Sequence, residues 1–386
     1  MTSHPPPVVE SILSKERSTM YISKTPLFAA TLLAGLTVNA ATYLLIDTTS
    51  SFTDKAESWM VLDNNDTPSS YSLPIVYDPA YEGEKTAKPT YKFIATGTPA
   101  TTLPTANDNV YLSSYMYVDA DGNETTTNET ATSIRGSTSW GNVVQRGPNI
   151  SIGSAYRDDK EFVLQMSSYQ LGYAAASIKK AASPKQTYFS IEIEGDAKIE
   201  ACNFTLGAAN VRNADDTIID NYIDNFAVGG QLWLREDNAK SRNVKLYAKN
   251  ILASDLKISD GVNLSLFLTQ AMFEKDNTVL YVDQKLTKGN ENKITLDFTD
   301  VEWNLVEAGT YNIITAGELE GFNKDSVNND FITNNTTGLR DGLESNLLWN
   351  GNTLQLVVAS NVPEPSTVAL IFGAVAVAFV AIRRKK

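Results

Sequence analysis

Residues Lys245–Leu268 read KLYAKNILASDLKISDGVNLSLFL, and the spacing of their apolar side chains decides the fold class. Successive strand residues point to opposite faces, so a strand buried on one side carries an apolar residue at every second position. Leu246 and Ala248 alternate with Lys245, Tyr247 and Lys249, then come Leu256 and Ile258, then Leu264, Leu266 and Leu268. Asn, Asp and Gly punctuate the runs, where backbone must turn. The stretch predicts successive short strands, or rungs, with Asn and Asp at the corners.

The same period extends outward. TYFSIEIE places Phe189, Ile191 and Ile193 on one face, KITLDF places Ile294, Leu296 and Phe298, and TLQLVV places Leu354, Leu356 and Val358. Within residues 161–360 only Tyr169–Ala182, YQLGYAAASIKKAA, could form a helix. Residues 161–360 therefore read as a β-strand-rich body. Residues 41–160 are rich in Thr, Ser, Pro, Asn and Tyr. They show weaker alternation (Val110 and Leu112, Tyr115 and Tyr117) and a polar loop over 121–133, and read as a β region or cap. The expected class is all-β, with a right-handed β-helix or solenoid favoured and a β-sandwich or jelly roll as the alternative. Glu307–Phe322 and Asn350–Ser360 resemble the last rungs of autotransporter-type passenger proteins, which implies the β-helix.

Composition narrows the chemistry. The 386 residues are 42% hydrophobic, enough for a sizeable core, and carry a net charge of −13. Such acidity argues against nucleic acid as a partner, because phosphate binding needs clustered Lys and Arg. A single cysteine, Cys202, excludes an internal disulfide and reads as a buried, inert thiol.

Both ends read as addresses. From Met20, MYISKTPLFAATLLAGLTVNAAT has the form of a signal peptide over residues 20–40. Lys24 leads, Leu27–Val38 is mostly apolar, and Val38 and Ala40 are small residues before cleavage at Ala41. Residues 1–19 lack that logic and read as a misassigned extension. Loss of this leader removes His4, the one histidine, which would exclude a Ser-His-Asp triad, a Cys-His pair and any His-bound metal. No cofactor is expected.

The chain closes on NVPEPSTVALIFGAVAVAFVAIRRKK, residues 361–386. Thr367–Ile382 is uncharged and as a helix would span about 24 Å, against roughly 30 Å of hydrocarbon. Arg383, Arg384, Lys385 and Lys386 can snorkel and hold that end cytoplasmic, so a transmembrane helix is predicted. Val362-Pro363-Glu364-Pro365-Ser366, the apolar helix and the basic tail together resemble the PEP-CTERM sorting signal of Gram-negative bacteria. The resemblance implies a precursor that is held transiently in the inner membrane, after signal peptidase has acted at the other end. An exosortase then removes the helix, leaving a mature form that is cell-surface or extracellular. It makes Pro363, Glu364 and Pro365 a recognition motif rather than catalytic groups.

Candidate sites in the body are sparse. Asp119, Asp121 and Asn123 in DADGNE have the oxygen density of a Ca²⁺ site, but Gly122 falls early for an EF-hand loop and Thr130 stands where a bidentate Glu belongs. An Asp-Gly turn without metal is the expectation. The doublets Asp158-Asp159 and Asp215-Asp216 read as solvated turns, since adjacent strand residues face opposite ways. Arg212, Arg235 and Arg242, with Asp215, Asp216, Glu236 and Asp237, are the residues a histidine-free lyase would draw on. Trp140 and Trp233 are candidate sugar platforms, although core burial is expected for each taken singly. The resulting expectation is a secreted, exosortase-processed surface or extracellular-matrix protein, structural or adhesive, associated with exopolysaccharide as the resemblance implies. The alternative is a carbohydrate-active β-helix enzyme, a polysaccharide lyase or glycosidase, without histidine.

Overall fold

A computed structural model describes residues 40–361, apart from 47–52, 63–74, 77–89, 92–96, 114–115, 119–123, 127–131, 135, 147–149, 153–160, 173–175, 181–187, 201–202, 236–241, 276 and 290–291. The predicted signal peptide up to Asn39 and the predicted sorting signal from Val362 lie outside the described residues. The described chain is all-β, with 21 strands joined in one hydrogen-bonded network. Among the described residues no helix is long and apolar enough to cross a membrane.

The strands fall into two ladders that the chain visits in alternation. In the first, Thr138–Arg146, Glu161–Leu171, Tyr188–Ile193, Ile223–Leu234, the second half of Arg242–Ile258, Thr278–Lys288 and Gly309–Glu320 pair in parallel, each with the next. In the second, Thr132–Ile134, Ile150–Ile152, Ala176–Lys180, Asn203–Leu206, the first half of Arg242–Ile258, Val262–Thr269, Ile294–Asp300 and Phe331–Asn334 do the same. The first ladder closes with two antiparallel strands, Thr353–Ser360 and Leu343–Asn350. At its other end Thr42–Leu45, Trp59–Leu62 and Gly97–Pro99 extend it.

Parallel register places identical faces above one another, so period 2 along the chain becomes rows across the sheet. Leu164, Ile191, Phe226, Ile251, Leu280, Ile314 and Leu354 form one inward row, every member buried. Ile178, Leu206, Leu246, Leu266 and Leu296 form its counterpart in the second ladder. The apolar positions read from the sequence at 189–193, 244–248, 256–268, 294–298 and 354–358 all enter this core. The expected short rungs with Asn and Asp at their corners are not seen over Arg242–Ile258, which is one continuous strand containing Asn250 and Asp255. Strand asparagines on the outer face form a row of their own. Asn263 donates to Asn243 (3.2 Å), which donates to Asn203 (3.0 Å).

None of the described residues of Tyr169–Ala182 is helical. Tyr169 and Leu171 end one strand of the first ladder and Ala176–Lys180 lies in the second, with Tyr169, Leu171, Ala176 and Ile178 buried. Local helix propensity yields here to parallel neighbours on both sides of each strand. Trp140 is core, as expected, with its ring edge-on to Trp59 at 5.9 Å. Trp233 departs from the expectation and lies half-buried.

The first ladder bends in one place on consecutive rungs. The register shifts between Val228 and Gln231, between Ala253 and Leu256, and between Val282 and Lys285. Gly229 stands at the bend, where a Cβ would lie 2.2 Å from the Glu194 carbonyl oxygen. That oxygen is backbone and cannot rotate away. Gly229→Val is expected to cost about 1–3 kcal/mol, read as a lower urea midpoint for the folded body.

Candidate functional site

Of the predicted site residues, Val38, Asp119, Asp121, Asn123, Val362–Ser366 and Arg383–Lys386 lie outside the described residues, as do Cys202, the Asp158-Asp159 doublet, Glu236 and Asp237. Ala40 and Ala41, at the predicted cleavage, begin the described chain, and the Ala41 N–H donates to Asp108 Oδ1 at 3.1 Å.

The most distinctive surface feature surrounds Trp233. Register places Lys198 beside it on one rung and Lys257 on the next. Their Nζ atoms lie 5.5 and 5.0 Å from the indole centroid, and Arg235 Cζ lies at 5.1 Å. The indole N–H donates to Ser259 Oγ at 3.0 Å, which fixes the ring. One buried carboxylate, Glu200, accepts from Arg235 at 2.7 Å and pairs with Lys198 at 2.9 Å. Two cations thus share one carboxylate, and a third, Lys257, joins them over a half-exposed aromatic, on a chain whose net charge is −13. Cation–π contacts at exposed sites are worth about 0.5–1 kcal/mol each, enough to organise the cluster. On the following rungs the acids outnumber the cation, since Lys285 pairs with both Glu320 at 2.8 Å and Glu318 at 3.5 Å.

The arginines named in the sequence are dispersed. Arg212 lies in a small hairpin, Val211–Arg212 against Ile218–Ile219, with Asp215 and Asp216 in its turn. Its guanidinium reaches Asp216 at 3.3 Å and Glu302 at 3.1 Å. Asp216 adopts a positive φ of 65°, and hydrogen bonds from Thr217 hold Asp215 below the usual carboxylate range, so both serve the turn. Arg235 belongs to the Trp233 cluster, and Arg242 opens a strand paired with Val262.

Sequence reading missed a half-buried network. Lys249 Nζ bridges Asp220 and Asp224, at 2.5 and 2.8 Å, and Asp224 Oδ2 accepts the Phe189 N–H at 2.6 Å. Burial would lower Lys249, but the hydrogen bonds it donates to the two aspartates carry it above the ordinary lysine range. Lys180 is also buried there, and desolvation pushes it down. No local spacing joins residues 180, 220, 224 and 249, and only the ladder register brings them together.

A shallow pocket of about 360 Å³ is lined by Gln270, Phe273, Glu274, Leu305, Glu307 and Tyr311. Phe273 meets Tyr311 edge-on at 4.8 Å, and the Tyr311 hydroxyl donates to the Glu307 carbonyl at 2.9 Å. Among the described residues no group of three or more His, Cys, Asp or Glu side chains is placed to hold a metal ion.

Residues 361–385 match the family model of the PEP-CTERM protein-sorting motif. The motif implies export, a membrane-anchored precursor and processing by an exosortase toward the cell surface. No curated protein and no solved structure matches the chain.

Proposed function

We propose that this is a surface or extracellular-matrix protein with a structural or adhesive role, that it associates with exopolysaccharide through the face around Trp233, and that its two ladders wind as a right-handed β-helix. The observation that carries the reading is the sorting motif at 361–385, which follows directly on a strand that ends at Ser360. A folded β body is thus joined to its export and release signal with almost no linker.

The β-helix reading draws support from the two parallel ladders, since parallel crossover connections are right-handed in nearly all cases. A non-catalytic role is supported by Arg212, whose guanidinium is engaged by Asp216 and Glu302 rather than offered to a substrate. The Trp233 cluster suits a sugar polymer that bears carboxylate or other acidic substituents, because its cations outnumber its acids and its indole is partly exposed.

The exported, processed protein is expected to co-sediment with its host's exopolysaccharide and to release no unsaturated or reducing-end products, with or without Ca²⁺. Trp233→Ala and Lys257→Ala should each weaken co-sedimentation by roughly 3- to 10-fold. Soluble products would replace this reading with a polysaccharide lyase or glycosidase.

A further inference from the structure

The first ladder ends on two unlike edges. One is Gly97–Pro99, three residues long, whose proline removes a donor. The other is Leu343–Asn350, LESNLLWN, which pairs along all eight residues with Thr353–Ser360 and, among the described residues, with no strand on its far side. Its inward face is anchored. Leu343, Leu347 and Trp349 pack on the core, and Trp349 meets Phe322 and Phe331 at 5.7 and 5.9 Å. Its outward face carries Glu344, Asn346, Leu348 and Asn350.

Edge strands present a row of unpaired N–H and C=O groups, and natural proteins blunt them with short length, charges, proline or bulges. The Gly97–Pro99 edge is blunted twice. The Leu343–Asn350 edge is long, contains no proline, has no register shift against its neighbour and carries one charge. We propose that it is an interaction surface for a second copy of this chain, joined by antiparallel pairing of Leu343–Asn350 with itself about a two-fold axis.

Two other occupants are disfavoured on physical grounds. The chain's own tail continues from Asn361 as Val-Pro-Glu-Pro, and two prolines in four residues cannot supply a continuous row of donors. Head-to-tail pairing would need the Gly97–Pro99 edge, which is too short and lacks a donor. The end strands of the second ladder, Thr132–Ile134 and Phe331–Asn334, are only three and four residues long. Leu343–Asn350 is therefore the one long edge among the described residues, and the assembly it makes is isologous and closes as a dimer. Anchoring of the precursor in one membrane raises the effective concentration of copies for each other.

The test uses the full chain. Asn346 lies near the middle of the strand, hence near the proposed two-fold axis. In a Cys202→Ser background, Asn346→Cys should give an oxidant-dependent covalent dimer in membranes of expressing cells, and Thr98→Cys at the opposite edge should give none. In mild detergent, light scattering should report a dimer for the unaltered chain and a monomer for Asn346→Lys/Leu348→Lys, whose lysines would face their symmetry copies. Circular dichroism should be unchanged. A monomeric unaltered chain, a dimer that survives both lysines, or equal cross-linking at Thr98 would overturn the proposal. The cysteine comparison decides the matter even if the lysine variant fails to fold.

Discussion

Lys288→Met is expected to destabilise the β body by about 3–5 kcal/mol, because it leaves an aspartate buried without its counter-ion. Lys288 occupies the last place of an inward row that runs Leu171, Ile199, Leu234 and Ile258 before it. A cation at an apolar position has to be fully compensated, and this one is. Its Nζ lies 3.1 Å from Asp330 Oδ1 and donates to the carbonyls of Gly289 at 3.0 Å and Asn292 at 2.9 Å. The ring of Phe322 lies 5.4 Å away. Lys288 and Asp330 are only 3% and 4% exposed, so solvent cannot replace either partner. Asp330 Oδ2 accepts the Asn323 N–H, which ties the segment before the last strand of the second ladder to the end of the core. Asp330→Ala should cost a similar amount by leaving the ammonium unpaired, measured by urea denaturation with an unchanged m-value. Lys288→Met/Asp330→Leu should recover most of the loss, since an apolar pair of similar volume removes both desolvation costs. A double variant as unstable as either single one would refute this account of the pair.

What the sequence discloses, and what it hides, follows from the range of the interactions. Alternation at Leu246 and Ala248, or at Ile294, Leu296 and Phe298, is a local property, and those residues are buried as read. The sorting signal is legible for the same reason, since its motif, apolar run and cations are contiguous. Tyr169–Ala182 misleads because alanine favours helix locally, whereas its strands are imposed by neighbours about 30 residues away in either direction. Trp233 is the reverse case. Burial is expected of it only because tryptophans are usually buried, and register alone places Lys198 and Lys257 against it. Lys288 was partly legible, because continuation of the Leu286 alternation already points its side chain inward. Its partner Asp330 was not, because nothing local relates the two positions.

Phe189→Ala tests the core itself and, through the spread of its effect, the proposed winding. Phe189 is fully buried, and its ring lies 4.9 Å from that of Phe162, its register partner on the preceding rung. Truncation removes that contact and leaves a cavity that rigid ladders on either side cannot close, so a loss of about 3–5 kcal/mol is expected. Phe189→Leu should lose less, since most of the volume remains. In a solenoid each rung touches mainly its neighbours, so stability is close to a sum of rung and interface terms. Amide exchange should therefore quicken in Glu161–Leu171 and Ile223–Leu234, the strands that pair with Tyr188–Ile193, while Thr278–Lys288 and Gly309–Glu320 keep their protection. In a sandwich the two sheets share one core, and the loss of protection would extend to the distant strands as well. Uniform quickening across the body would thus retain the all-β fold but remove the β-helix reading, and confinement to the adjacent rungs would support it.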